Sequence, residues 1–359
     1  MKTKILYITV RSDFGGGPRH VDQLIDRLED EYEIYVACPT GEPYGTKWRN
    51  DKKIHVVDIP YRKFSFKTLL HLKDFIKKEN IQIVHSHGNG AGIYSRLIKL
   101  LCPSVKVAHT YHGISDTYKS KIKAVVSILV GRLLSPLADK YICVSNGEKR
   151  MALSRGFSKD QNTIVIYNGI EDPKSEARQK ENKPVDIVCL SRFDYPKNMD
   201  AAFRIAFAFK DDDRACFTWV GDGQDKERLE QAAKEKGVRI TFTGFSKKPS
   251  IYLQKADWYI STSRFEGLPY ALIEAASVGL PILATDVKGN NEVVKDKYNG
   301  FLFHSEEEAI KLINDILDGK VNYSQLSQNS INFFHEYFTE DKMISNLRNL
   351  YNSLVPNDR

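Results

Sequence analysis

Cysteine is sparse. Five occur in 359 residues, at Cys38, Cys102, Cys143, Cys189 and Cys216, an odd number with no pair at metal-ligand spacing. A disulfide framework and a thiolate zinc site are thereby excluded, and buried free thiols in a reducing compartment are expected. Long apolar runs are also missing. The longest interior stretch, Ala124 to Gly131, ends at Arg132 and is far short of the ~20 apolar residues that span a bilayer. The first ten residues, Met1 to Val10, read as a short strand running into a glycine-rich loop, without a signal-type cleavage region; a cytoplasmic protein is the expectation. There is no low-complexity tract or fixed-period repeat. Neither the G-x-G-x-x-G of dinucleotide binding nor the Gly-Lys-Ser/Thr of a P-loop is present, which disfavours a nicotinamide oxidoreductase.

What is present suits a folded two-domain protein. The length exceeds the usual single-core range, and 42% hydrophobic with 28% charged residues is ordinary for a globular chain. Charge is uneven: residues 1–170 carry a net +11 and residues 171–359 a net −4. Basic residues gather at Arg62, Lys63, Lys67, Lys73, Lys77 and Lys78, then at Lys119, Lys121, Lys123, Arg132 and Lys140. The second group brackets Ile122, Val125, Val126, Ile128, Leu129, Leu133 and Leu134. Such a segment is either a basic, apolar-edged helix on an anionic membrane or a core helix with a solvated lysine face. No nucleic-acid-binding motif accompanies the basic stretches, so nucleic acid is not an expected partner.

Short β-branched runs alternate with helical patterns through the first half, at Ile5–Val10, Ile34–Cys38, His55–Ile59, Ile81–His85, Val105–His109, Tyr141–Val144 and Thr163–Ile166. The charged stretch Glu171 to Lys183, with Pro173 and Pro184 nearby, reads as a linker or long loop. The pattern restarts at Val185–Leu190, Cys216–Val220, Ile240–Phe242, Trp258–Thr262 and Ile282–Ala284. This alternation predicts an α/β fold of two Rossmann-like, doubly wound parallel-sheet domains facing a cleft, with ligands beyond the carboxyl ends of the strands. The expected boundaries are 1–170, 171–335 and a helical tail from 336 to 359.

The stretch Ser263-Arg264-Phe265-Glu266-Gly267-Leu268-Pro269-Tyr270 follows a predicted strand and opens a helix carrying Glu274. A helix N-terminus at a strand end is a ready anion site, and two carboxylates beside it suit ligand hydroxyls. Pro269 has no N–H, leaving the Gly267, Leu268 and Tyr270 amides as candidate donors. Arg192 and Lys197, in Ser191-Arg192-Phe193-Asp194-Tyr195-Pro196-Lys197, offer a forked and a point-like cation matched to a diphosphate. Gly15-Gly16-Gly17-Pro18 after the first strand permits close ligand approach, and its helix is expected to open at Pro18. His112, in Thr110-Tyr111-His112-Gly113, sits at another strand end; His85 and His87 are weaker candidates. Asp211-Asp212-Asp213 contains an Asp-x-Asp pattern but reads as surface acid at a loop.

Together, Arg192, Lys197, Glu266 and Glu274 resemble the donor site of the retaining glycosyltransferases of the GT-B fold, family four, the large group with sucrose- and glycogen-synthase-like enzymes and many bacterial polysaccharide transferases. The resemblance covers nearly the whole chain. It implies a hexosyltransferase moving a sugar from a UDP-linked donor to an acceptor hydroxyl. By resemblance Glu266 lies near the donor sugar, Glu274 binds the ribose, and Arg192 and Lys197 clamp the diphosphate. Gly16 and Gly17 face the donor phosphate, Gly244 and Phe245 lie by the base, and His112 is near the sugar. It also implies no metal and no cofactor, and a last helix crossing back to the first domain. The basic half points to a polyprenyl-diphosphate or glycolipid acceptor at the inner membrane face. A GT-B sugar-nucleotide epimerase and a non-catalytic sugar-nucleotide-binding protein are the alternatives.

Overall fold

A computed structural model describes residues 2–114, 121–179 and 184–355. The segment 115–120, which holds Lys119, lies outside the described residues, as do 180–183 in the linker and 356–359 in the tail.

The chain folds into two compact units, one of residues 1–168 with 342–359 and one of residues 169–341. The strands of the first are β1 (Lys4–Thr9), β2 (Glu33–Cys38), β3 (His55–Asp58), β4 (Ile83–His87), β5 (Lys106–Tyr111), β6 (Lys140–Cys143) and β7 (Thr163–Val165). They form one sheet in the order β3-β2-β1-β4-β5-β6-β7. All pairs are parallel, with Leu6 opposite both Tyr35 and Val84. Strands such as β1, β4 and β5 are buried along most of their length because helices cover both faces. One face is covered by the helices Phe66–Glu79 and Asn89–Leu101 through Leu69, Leu72, Ile76, Tyr94 and Ile98. The other is covered by Gly16–Leu28 and the last helix, Glu340–Leu354, through Val21, Leu24, Leu347 and Tyr351.

The second unit repeats the plan with β8 (Val185–Leu190), β9 (Ala215–Val220), β10 (Ile240–Gly244), β11 (Trp258–Ser261), β12 (Ile282–Thr285) and β13 (Gly300–Phe303), ordered β10-β9-β8-β11-β12-β13 and parallel throughout. Its core gathers Phe193, Trp219, Trp258 and Ile313. The doubly wound α/β architecture is thus present in both units. In each, the strand order reverses at one place, β1/β4 in the first and β8/β11 in the second, where adjacent crossovers leave in opposite directions and open a crevice.

Four details differ from the sequence reading. The first helix begins at Gly16 rather than Pro18, so two glycines form its opening turn. Pro269 is the N-cap of the helix Tyr270–Ser277, not a residue of its first turn. β13 is an added strand, and the short Gly300–Phe303 run gives no alternation to detect. Finally, the linker up to Gln179 is fastened down. Arg178 donates to the carbonyls of Ala256 (2.7 Å), Val278 (2.9 Å) and Leu253 (3.1 Å), and its own N–H reaches Ser327 Oγ (2.8 Å).

Candidate active site

In the second unit the reversal point gathers several of the candidate residues. The loop after β8 holds Arg192 and Lys197; the loop after β11 holds Ser263 and Glu266. Lys197 Nζ lies 2.5 Å from Glu266 Oε1, and Ser263 Oγ donates to the same oxygen at 2.7 Å. The side chains of Lys197 and Glu266 are only 21% and 13% exposed. The two loops are stitched together along their length. Thr262 Oγ1 donates to the carbonyls of Lys197 (3.2 Å) and Asn198 (3.0 Å), and the Arg264 N–H donates to the Pro196 carbonyl at 2.8 Å. Arg264 also stacks 4.3 Å over the Tyr195 ring. Lys197, Glu266, Ser191, Ser263 and Pro269 line a small, partly open concavity at this strand edge.

Arg192 is placed differently from Lys197. It is 54% exposed and pairs with Asp194 of its own loop at 3.0 Å, so its guanidinium stands at the surface while Lys197 is held within. The loop itself is braced from behind. The Ser191 and Phe193 N–H groups donate to the carbonyls of Val220 (3.0 Å) and Asp222 (2.9 Å). Gly221 has φ +141°, and a Cβ there would collide with the Ser191 carbonyl. The Gly221-Asp222-Gly223 turn is therefore a brace for the arginine loop, since only glycine permits both that φ and that approach.

Glu274 lies in the helix Tyr270–Ser277 and is partly exposed; Leu268 and Tyr270 are buried. Gly267 packs against the neighbouring loop so closely that a Cβ on Gly289 would sit 2.6 Å from its carbonyl oxygen. Gly244 ends β10 at φ +71° with open space where a Cβ would point, and Phe245 beside it is half exposed.

In the first unit, the reversal point collects histidines. Gly16 and Gly17 open the helix after β1; His20 is one turn further along; His87 ends β4; His112 follows β5. A Cβ on Gly17 would lie 3.7 Å from His112 Cδ2. His87 Nδ1 and His112 Nε2 are 3.1 Å apart, with rings stacked at 5.4 Å, and His20 meets His112 edge-on at 5.0 Å. The three could bring one ligand atom each within 4.8 Å of one another. Burial first, then mutual repulsion, holds His87 and His112 well below the ordinary histidine range, and burial pushes His20 down to about 4. These imidazoles are neutral at pH 7.

His85 belongs to the scaffold. It is fully buried, and both ring nitrogens are engaged at 2.7 Å, with Tyr351 Oη of the last helix and with Thr110 Oγ1. The three aspartates after the helix Met199–Phe207 are each paired with a cation: Asp211 with Lys210, Asp212 with Arg214 and Asp213 with Arg239. They form surface ion pairs.

Two positioning residues are not among the candidates that the sequence suggests. Glu148 is fully buried and takes the N–H groups of Gly113 (2.6 Å) and Ile114 (2.8 Å) on one oxygen and of Val144 (3.1 Å) on the other. It fixes the turn that follows His112. Ser145-x-x-Glu148 has the spacing of a helix-capping pair, and Ser145 Oγ does accept from the Glu148 N–H at 3.1 Å; the sequence shows that much, but not the reach to Gly113. Tyr259 is the second. Its buried hydroxyl donates to the Leu190 carbonyl at 2.9 Å and accepts from the Leu190 N–H at 3.3 Å, setting the end of β8 one residue before the arginine loop begins.

The comparisons with known proteins agree with this fold. The family profile described as "Glycosyl transferases group 1" matches residues 171–333, and "Glycosyltransferase Family 4" matches residues 14–173. The chain is 25% identical, over 99% of its length and 98% of the relative's, to a UDP-Gal:alpha-D-GlcNAc-diphosphoundecaprenol alpha-1,3-galactosyltransferase of Escherichia coli. It is 27% identical to the O-antigen biosynthesis glycosyltransferase WbnH of the same species, over 89% of this chain and 91% of that one. In fold it superposes on Anabaena HepE, crystallised with UDP, with a TM-score of 0.83 at 16% identity, covering 98% of this chain and 100% of that one. The two profiles together span residues 14–333, and the fold is two parallel-sheet α/β units: the chain belongs to the family-four, group 1 glycosyltransferases of the GT-B fold.

Proposed function

We propose that this glycosyltransferase is retaining and metal-independent, and that it moves a sugar from a UDP-linked donor to a hydroxyl of a lipid-linked sugar during bacterial surface-polysaccharide assembly. The observation that carries the reading is the Lys197–Glu266–Ser263 cluster at the β8/β11 reversal, 2.5 and 2.7 Å across. Cleaving a sugar–diphosphate bond leaves charge on the diphosphate, and a fixed cation stabilises that charge more as it develops. Lys197 is such a cation, and Arg192 supplies a second, more exposed one. Glu266 holds Lys197 in place and presents its remaining oxygen to the donor sugar, while Glu274 serves the ribose. Acceptor attack on the face that the diphosphate leaves, with a departing phosphate oxygen taking the proton, retains the α configuration. A galactosyltransferase named for a diphosphoundecaprenol-linked acceptor among the relatives supports the acceptor class. Such an acceptor places the enzyme at the inner face of the cytoplasmic membrane.

The test is transfer from UDP-galactose, UDP-glucose and UDP-N-acetyl-hexosamines to a synthetic GlcNAc-diphospho-lipid, read by mass spectrometry and by the anomeric coupling of the product. An α-linked product formed in EDTA supports the proposal. A β-linked product overturns retention, and epimerised donor formed without acceptor overturns the transferase reading.

A further inference from the structure

The helix Lys121–Leu134 has its large apolar residues on the outside. Ile122, Val125, Val126, Leu129 and Leu133 recur at three- and four-residue steps, one stripe of a helix, and all are exposed, Ile122 by 76% and Leu133 by 77%. The other side is built from smaller or partly covered groups. Ile128 packs on the core, Leu134 is buried, and a Cβ on Gly131 would lie 2.6 Å from the Phe157 ring. A core helix would show the reverse arrangement. The helices Phe66–Glu79 and Asn89–Leu101 belong to the same layer over the same sheet face, and their outer sides add exposed Phe66, Leu70 and Leu100. Soluble surfaces rarely leave so many large apolar side chains of one layer in water without a partner.

Charge identifies the partner. The helix Lys121–Leu134 includes Lys121, Lys123 and Arg132 and no acidic residue. Arg62 and Lys63 lead into the helix Phe66–Glu79, which adds Lys67 and Lys73 before its first acid, Asp74, paired with Lys73 at 3.2 Å. A second copy of the chain on this face would set cations against cations. No helix among the described residues is long and apolar enough to cross a membrane. A helix with one apolar stripe and flanking lysines and arginines lies in the plane of an anionic bilayer, its stripe among the acyl chains and its cations at the headgroups.

We infer that this face of the first unit seats on an anionic lipid surface, with the helix Lys121–Leu134 lying in the interface. The inference rests on the proposed lipid-linked acceptor only for its biological sense; the surface would bind lipid whatever sugar is transferred.

The experiment is co-sedimentation of the full chain with phosphatidylcholine vesicles and with vesicles of phosphatidylcholine and phosphatidylglycerol. The variant Leu129→Glu/Leu133→Glu is carried in parallel, and melting temperature and UDP binding serve as folding controls. The expected result is binding to the anionic vesicles, weakened at high salt, and a fall of about tenfold or more in the variant, which keeps its melting transition and UDP binding. Equal binding by the variant, or no binding by the parent chain, overturns the inference. So does a salt-resistant dimer by sedimentation velocity that the variant abolishes without any vesicle binding, which would assign the face to a second copy. A parent chain that binds the anionic vesicles but transfers no sugar in the assay above would count against the transferase reading alone.

Discussion

Lys197 and Glu266 come from loops 69 residues apart and meet at 2.5 Å, with Ser263 on the same carboxylate oxygen. Because both side chains are mostly withdrawn from water, removing one partner strands the other. Lys197→Ala should lower kcat by about 10²-fold or more, the scale of losing one fixed transition-state donor. It should also destabilise the second unit, since an unpaired, mostly buried carboxylate is costly. Lys197→Met/Glu266→Gln removes both charges and should be more stable in urea than either single variant while remaining inactive. Additive stability losses in that cycle would show that the pair does not act as one unit.

Arg192 and Gly221 separate chemistry from support. Arg192 is half exposed and pairs only within its loop among the contacts described, so Arg192→Ala should leave the melting temperature within about 1 °C, as surface changes do, and still reduce turnover strongly. Gly221→Ala should do both. At φ +141° with the Ser191 carbonyl in the way, the new Cβ must displace the arginine loop, costing more than about 1 kcal/mol. Calorimetry and donor turnover on the two variants check the contrast; a stable, active Gly221→Ala protein would remove the turn's bracing role.

Much of the fold is legible in the residues alone. Parallel strands buried on both faces announce themselves as β-branched runs, so Ile5–Val10 and Val185–Leu190 lie within a residue of β1 and β8. Arg192, Lys197 and Glu266 carry unusual residue types at strand ends, where sequence reading looks. What stays hidden depends on contacts distant in sequence. Nothing near Tyr259 shows that its hydroxyl will close on Leu190, and nothing near His85 shows that Tyr351, 266 residues later, will occupy its ring nitrogen. The helix Lys121–Leu134 is ambiguous for another reason: periodicity gives the stripe but not the side of the helix that meets the core.

Glu148 predicts a defect at a distance from any donor contact. Glu148→Ala leaves the buried N–H groups of Ile114 and Val144 and the half-buried one of Gly113 without this acceptor, a loss of about 2 kcal/mol or more at ~1–3 kcal/mol per buried group. Glu148→Gln keeps one carbonyl oxygen for Gly113 and Ile114 but turns an amide N–H₂ toward Val144, so it should fall between Ala and the parent chain. Urea unfolding of the three proteins gives the order directly. If Glu148→Ala unfolds with the parent midpoint, the clamp on the His112 turn carries no weight.

The buried histidines make the first unit acid-sensitive. His20, His85, His87, His109 and His112 all have pKa values lowered from the ordinary 6.5 by burial, His20 to about 4. The folded chain keeps them neutral, whereas the unfolded chain takes up protons below pH 6.5. Stability is therefore fully present above about pH 6.5 and is lost as pH falls toward the folded values, by up to ~1.4 kcal/mol per pH unit for each histidine. The melting temperature should drop steeply between pH 6.5 and pH 4, and His109→Phe, if it folds, should flatten that drop. A flat profile over this range would mean that these rings protonate in place.

Chelation is the remaining discriminator, because the first unit does contain a potential ligand set. His20, His87 and His112 could converge on a metal, and neutral imidazoles are the form that binds one. Two features weigh against a working ion there. His87 Nδ1 and His112 Nε2 already satisfy each other at 3.1 Å, a hydrogen bond that a cation would have to break. In the proposed mechanism, moreover, the diphosphate charge is met by Lys197 and Arg192 of the second unit. Turnover from the UDP-sugar should therefore be unchanged after EDTA treatment and dialysis, and equal with and without added magnesium. If EDTA abolishes turnover and His87→Gln reproduces the loss without lowering the melting temperature, the trio holds an essential metal and the charge assignment to Lys197 and Arg192 is incomplete.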